Sequence, residues 1–156
     1  MTDVLILCLG DEAFAVPARD VREILEPVPV TRVPGAPACI DGVVNVRGRI
    51  VPLADLRVVF GVPRRDADVH TRVVVVEVVV DDEAVTVGIV ADAVREVTAI
   101  DADAADPPPR VGMRWRTDFV AGIARHRDRF VVLPALSRIF ADMLAGETPV
   151  PVHLAA

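Results

Sequence analysis

The chain has 156 residues, of which 53% are hydrophobic, and its 17 basic and 23 acidic residues leave a net charge of −6. That apolar content excludes a disordered chain and suffices for one ordinary domain or two very small ones. The acidic balance argues against a protein that binds nucleic acid over its whole surface. Valine dominates, aromatics make up only 4%, and every basic residue is Arg, with neither Lys nor Tyr. Strands filled by branched aliphatics are the expectation.

Met1-Thr2-Asp3 carries no basic region, and the apolar run Val4 to Leu9 is too short for a signal core or a membrane span. A cytoplasmic protein without membrane insertion is therefore expected. Cys8 and Cys39 share no metal-ligand spacing, so both are expected to be buried and reduced.

In chain order, Val4 to Leu9 and Phe14 to Val16 predict a hairpin around Gly10-Asp11-Glu12. Ala18 to Leu25, behind Pro17 and before Pro27, reads as one or two turns of helix or as a bent strand. Val28 to Val33 lies between prolines and suits an edge strand or an extended connection, and Pro34-Gly35-Ala36-Pro37 is a loop. Ile40 to Arg57 then reads as a hairpin turning at Gly48 followed by a helical turn, with Leu53 to Phe60 as a short helix that Gly61 closes. Gly61 to His70 is polar and reads as a linker. Val73 to Val80, Val85 to Val90 and Val94 to Ile100 are strands; Asp101 to Gly112 is a proline-rich loop. Phe119 to Ala124 and Arg129 to Leu133 form a last hairpin, Ala135 to Leu144 a helix, and the remainder a loose tail.

The chain also repeats. Shifted by 80 residues, Ile40 to Phe60 overlays Val120 to Phe140 without gaps, with identities that include Gly42 and Gly122, Arg47 and Arg127, Arg49 and Arg129, and Phe60 and Phe140. Val21-Arg22-Glu23-Ile24 likewise answers Val94-Arg95-Glu96-Val97, and Asp11-Glu12-Ala13 answers Asp82-Glu83-Ala84. Each half thus supplies about five short strands, and five strands closed on themselves make a small barrel without free edges. Two such barrels are marginal alone. They are expected to pack side by side through an apolar seam and to leave a groove between them.

For chemistry the inventory is poor. His70, His126 and His153 fall in a linker, a hairpin tip and a tail, where each is expected to be solvated. Asp101, Asp103 and Asp106 lack the spacing of a calcium loop, and no phosphate-cradling glycine loop occurs. No catalytic residue, metal site or cofactor is expected. Arg125, Arg127 and Arg129 alternate onto one hairpin face, but almost no aromatic platform accompanies them, so an acidic partner or solvent suits them better than nucleic acid. Glu23 and Arg47 form the expected ion pair, with Glu96 and Arg127 as counterpart; the alternative is that these groups face water. Val21, Val43 and Val97 either fill cores or form an exposed apolar strip in the groove.

The wording of several segments is similar to that of the CheW-type chemotaxis coupling family. Gly42 to Arg57 carries the resemblance most strongly, with its Asn45-x-Arg47-Gly48 core, Val51-Pro52 and the closing Asp55-Leu56-Arg57. Leu9 to Glu12, Phe14 to Pro17, Val21 to Ile24, Thr31 to Pro34, Val87 to Val94, Gly122-Ile123 and Asp128-Arg129 extend it over roughly residues 4 to 142. The resemblance implies an all-β fold of two side-by-side five-stranded SH3-like barrels with a C-terminal helix. The expected division is a first barrel at about 4–60, a linker at 61–70, a second barrel with helix at about 71–144 and a flexible tail at 145–156, with strand exchange between the barrels left open. It also implies a non-enzymatic adaptor that joins the cytoplasmic tips of methyl-accepting chemoreceptors to the regulatory domain of a CheA-type histidine kinase, in membrane-associated arrays or in a chemosensory system serving type IV pili. By the same resemblance Val21, Glu23, Gly42, Arg47 and Val97 belong to the receptor-binding face or hold it in shape, and Val43 joins them as a candidate. The Arg- and Pro-rich stretch Asp101 to Arg116 and the sequence Val132-Leu133-Pro134-Ala135 depart from the family pattern.

Overall fold

The structure, a computed structural model, describes residues 1–108 and 117–146. Ten strands follow one another as β1 (Thr2–Leu9), β2 (Glu12–Pro17), β3 (Val21–Leu25), β4 (Ile40–Val46), β5 (Arg49–Ala54), β6 (Arg72–Val80), β7 (Glu83–Ala91), β8 (Ala93–Ile100), β9 (Val120–His126) and β10 (Arg129–Pro134). Helices α1 (Leu56–Phe60) and α2 (Leu136–Leu144) follow β5 and β10. The expected tail from 147 onward and the end of the proline-rich loop at 109–112 lie outside the described residues. Ala18 to Leu25 takes both of its expected forms in succession, a 3₁₀ turn at Ala18–Asp20 and then β3.

The strands form two five-stranded sheets, ordered β8-β1-β2-β10-β9 and β3-β6-β7-β5-β4. Under the repeat, β1, β2, β8, β9 and β10 correspond to β6, β7, β3, β4 and β5, so the two orders are the same. The membership differs from a division at 61–70. The first hairpin of each half, β1–β2 or β6–β7, is inserted among the last three strands of the other half. It is held by antiparallel pairing of β1 with β8 and of β6 with β3, and by short parallel joints of β2 with β10 and β5 with β7. Contiguous barrels would have required each half to close on its own few strands. Exchange buries both hairpins on both faces.

This double burial explains the near-continuous apolar runs that blur strand alternation. Val4, Ile6, Ala13, Ala15, Ala124 and Val131 fill one sheet's interior, and Val44, Val46, Val51, Leu53, Val73 and Val75 the other's. Their alternating neighbours Leu5, Leu7, Leu9, Phe14 and Val16, with Val74, Val76, Val78 and Val80, point into a shared core between the sheets. Leu56, Val59 and Phe60 from α1 and Leu136, Ile139, Phe140 and Met143 from α2 complete that core. Phe14 and Phe60 meet there at 5.0 Å between ring centroids.

Three hairpins turn on two residues in the left-handed region, which matches the twist of the strands they join. Arg47 and Gly48, Asp81 and Asp82, and Arg127 and Asp128 hold φ between 50° and 82°. Arg is an unusual occupant of that region, and it recurs at both repeat-related tips.

Candidate functional site: the cleft between the barrels

Strands β3 and β4 end one sheet's order, as β8 and β9 end the other's. In each sheet a charged contact joins those two ends. Arg47, at the tip after β4, donates through Nε and Nη2 to Glu23 Oε1 on β3 at 2.9 and 2.8 Å. Glu96 on β8 meets His126 Nε2 at 3.0 Å and Arg127 Nη2 at 3.3 Å, both at the β9 tip. These side-chain contacts bring the two ends of each five-stranded order together where no backbone ladder joins them. The left-handed backbone at Arg47 and Arg127 aims each side chain at its carboxylate. Hydrogen bonding to Glu23, and then its charge, push Arg47 further toward the protonated form. Arg47 stays mostly in solvent while Glu23 is largely covered, so the pair orients more than it stabilises.

Gly42 has a packing role. Thr31 and Val43 exchange backbone hydrogen bonds at 2.9 and 2.8 Å, which lays the 28–33 segment along β4. A Cβ on Gly42, whose φ is +150°, would stand 2.2 Å from the Thr31 carbonyl oxygen. Only glycine permits that approach. Asp106 and Ile123 make the matching bridge beside Gly122.

Of the three valines for which core filling and an exposed strip are the alternatives, Val97 is 63% exposed. Val21 is half-buried against the shared core and Val43 is half-buried beneath its bridge to Thr31. Ile24, the repeat partner of Val97, is exposed instead. Ile24 on β3 and Val94 and Arg95 on β8 line one cleft, so the two repeat-related strands face each other across the groove between the sheets. Two other expectations change. His126 is mostly covered and bonded to Glu96 rather than solvated. Arg125, Arg127 and Arg129 do not share a face, because the turn at 127–128 breaks the alternation: Arg125 lies over the Phe130 ring, Arg127 reaches Glu96, and Arg129 donates to the Asp11 carbonyl. His70 is exposed, and His153 is outside the described residues.

Sequence reasoning missed a buried charge cluster behind the cleft. Arg57, in α1, donates through Nε and Nη2 to the two oxygens of Asp55 at 2.9 Å each, and through Nη1 to Asp92 Oδ1 at 2.8 Å. Asp92, between β7 and β8, accepts the Gly10 N–H through its other oxygen at 2.6 Å. Arg64 reaches Asp55 at 3.0 Å and Asp41 at 2.8 Å, so the 61–70 segment is a strap and not a free linker. Asp55 also caps α1 by accepting the Arg57 N–H. The cluster ties the β1–β2 turn of one sheet to the α1 end of the other. Hydrogen bonding to Asp55 outweighs burial and holds Arg57 charged, with Asp55, Asp92 and Asp41 adding their fields. A carboxylate lodged between Ala91 and Ala93 and an Asp-x-Arg after an apolar strand were the available signals. The repeat could not supply them, since Ala135 and Ser137 occupy the corresponding places.

The family of CheW-like domains matches residues 3–143. The chain belongs to that family. It is 32% identical over 140 residues to the chemotaxis protein CheW of Klebsiella aerogenes, covering 90% of this chain and 82% of that one. A crystal structure of the scaffolding protein TtCheW from Thermoanaerobacter tengcongensis is similar with a TM-score of 0.79 and 32% identity, covering 89% of this chain and 87% of that one. A shorter match, 36% identical over 69 residues, covers 44% of this chain and 39% of Protein PilI of Pseudomonas aeruginosa. This CheW-like chain therefore has the expected all-β fold of two five-stranded SH3-like barrels with a C-terminal helix. Among its described residues no helix is long and apolar enough to cross a membrane, and no group of three or more His, Cys, Asp or Glu could hold a metal ion.

Proposed function

We propose that the chain is a non-enzymatic cytoplasmic adaptor that couples the cytoplasmic tips of chemoreceptors to the regulatory domain of a CheA-type histidine kinase in a membrane-associated array. The observation that carries this reading is the cleft between β3 and β8. Ile24 lines it, Val97 is exposed farther along β8, and the Glu23–Arg47 and Glu96–Arg127 contacts lie on the same two strands. A helical receptor tip offers apolar side chains at helical spacing, and exposed apolar residues flanked by charged ones are the kind of surface such a helix occupies. Val21, Glu23, Gly42, Val43 and Arg47 support that face from behind or form its rim. The family's named members, a chemotaxis protein and a scaffolding protein, support the adaptor reading.

Calorimetry with the kinase regulatory domain and with a receptor-tip fragment from the same genome tests it. Micromolar-scale or tighter binding to both is expected. Arg47→Ala and Val97→Asp should each weaken the receptor fragment and leave the kinase domain's affinity unchanged. Absence of binding to every kinase and receptor paralogue would overturn the reading. A second setting is an array serving type IV pili; stronger binding to the kinase of such a system than to a flagellar one would select it.

A further inference from the structure

One end of the cleft is dominated by arginine. Arg65 from the strap, Arg72 at the start of β6, Arg95 on β8 and Arg129 at the start of β10 line a cavity of about 630 Å³. They come from four separate segments and from both sheets. Of the ten other described arginines, six (Arg22, Arg47, Arg57, Arg64, Arg127 and Arg138) meet a carboxylate; what sets the cavity apart is that four arginines converge on one space. Arg72 Nη1 donates to the Val69 and Thr71 carbonyls at 3.0 and 2.7 Å, Arg129 Nη2 to the Asp11 carbonyl at 3.3 Å, and Arg95 Nε to Cys8 Sγ at 3.2 Å. Arg65 alone reaches a carboxylate, Asp11 at 3.2 Å, whose side chain is almost wholly in solvent.

The other acids of the cavity are engaged. Asp92 serves Arg57 and the Gly10 N–H, and Asp68 accepts the His70 N–H at 2.8 Å. With Asp92 paired to Arg57 and Asp11 to Arg65, only the Asp68 charge stands against Arg72, Arg95 and Arg129, which leaves the cavity with an excess of positive charge. Carbonyls and a thiol position a guanidinium without neutralising it. Such a fork matches the paired oxygens of an oxyanion, and convergent arginines select a multiply charged one. The volume lies in the range of small-molecule sites and exceeds what a single phosphate needs.

We propose that this cavity is an oxyanion site for a small polyphosphate, either free pyrophosphate or the phosphate chain of a nucleotide. Arg72, Arg95 and Arg129 are its principal ligands, and Arg65 joins them when it leaves Asp11. The bound phosphates bridge β6 of one sheet to β8 and β10 of the other. The site does not rest on the adaptor reading.

The test is calorimetry and phosphorus NMR on the full chain at about 150 mM salt, where loose surface attraction is screened, with pyrophosphate, ADP and citrate as probes. Saturable binding of pyrophosphate is expected, weakened about tenfold or more by Arg95→Gln or Arg72→Gln through the lost charge-assisted hydrogen bonds. Asp11→Asn should tighten it, because the change releases Arg65. Arg22→Gln, outside the cavity, should leave it unchanged, and melting curves should show every variant folded. ADP binding at least as tightly as pyrophosphate assigns the site to a nucleotide; the reverse assigns it to the free anion. No saturable binding at millimolar pyrophosphate, citrate binding as tightly as either phosphate, or binding indifferent to Arg72 and Arg95 would overturn the proposal.

Discussion

Arg57→Met removes the centre of the buried cluster while keeping much of the side chain's volume. Arg57 gives three hydrogen bonds to two carboxylates and a fourth, at 3.2 Å, to the Arg65 carbonyl, and its side chain is only 7% exposed. Breaking a buried pair by removing one partner costs about 3–5 kcal/mol, because the stranded charge stays desolvated. Here Asp55 keeps Arg64 and the Arg57 N–H, and Asp92 keeps the Gly10 N–H, which places the loss near the lower end, at about 3 kcal/mol. For a domain of this length that lowers the melting temperature by roughly 10 °C. Urea unfolding followed by circular dichroism measures it. Asp92→Asn added to Arg57→Met should cost less than the two separate losses combined, with a coupling of about 1–3 kcal/mol. A single-variant loss below about 1 kcal/mol, or strict additivity, would refute the view that this cluster clamps the two sheets together.

Gly42→Ala places a methyl group against the Thr31 carbonyl at a φ of +150° and should destabilise by about 2 kcal/mol or more, whereas Gly48→Ala, in open space at φ +82°, should cost only about 1 kcal/mol; urea midpoints compare them. Phe14→Ala empties a fully buried position against Phe60 and should cost about 3–5 kcal/mol by the same assay. Burial pushes the Cys39 thiol up from 9.0 to about 11. The unfolded thiol ionises first, so this contribution, about 3 kcal/mol, is intact below pH 9 and is lost as pH rises toward 11. With neither Lys nor Tyr in the chain, the alkaline window is unusually clear, and Cys39→Ala should flatten the fall of the urea midpoint between pH 8 and 10.5. An unchanged slope in that variant would dismiss the assignment.

The hairpins were legible because a two-residue turn between apolar runs leaves a local mark, as at Arg47-Gly48. The Glu23–Arg47 and Glu96–Arg127 contacts were legible through the repeat, which placed two equivalent charges in two equivalent settings. Strand partnership was not. Nothing local to Val4–Leu9 states whether it pairs with its own half or the other, since both sheets offer the same apolar, Val-rich edge. Exposure failed for a related reason: Val21, Val43 and Val97 look alike in sequence, and only the bridge from Thr31 and the shared core separate them. The Asp55–Arg57–Asp92 cluster brings together residues 35 apart across two elements, and its meaning depends on a burial that no short window contains.

The exchange of hairpins also sets a timetable for synthesis. When a ribosome has released residues 1–60, β1 and β2 are complete, yet their partners β8 and β10 are still unmade. The early strands β3, β4 and β5 likewise wait for β6 and β7. Neither sheet can finish until the second half emerges, so the growing chain carries unpaired strand edges that a contiguous barrel would have closed at mid-length. The long separations between partners make final assembly slow relative to local hairpin formation. A nascent chain of this kind is a natural client for chaperones that shield exposed strands.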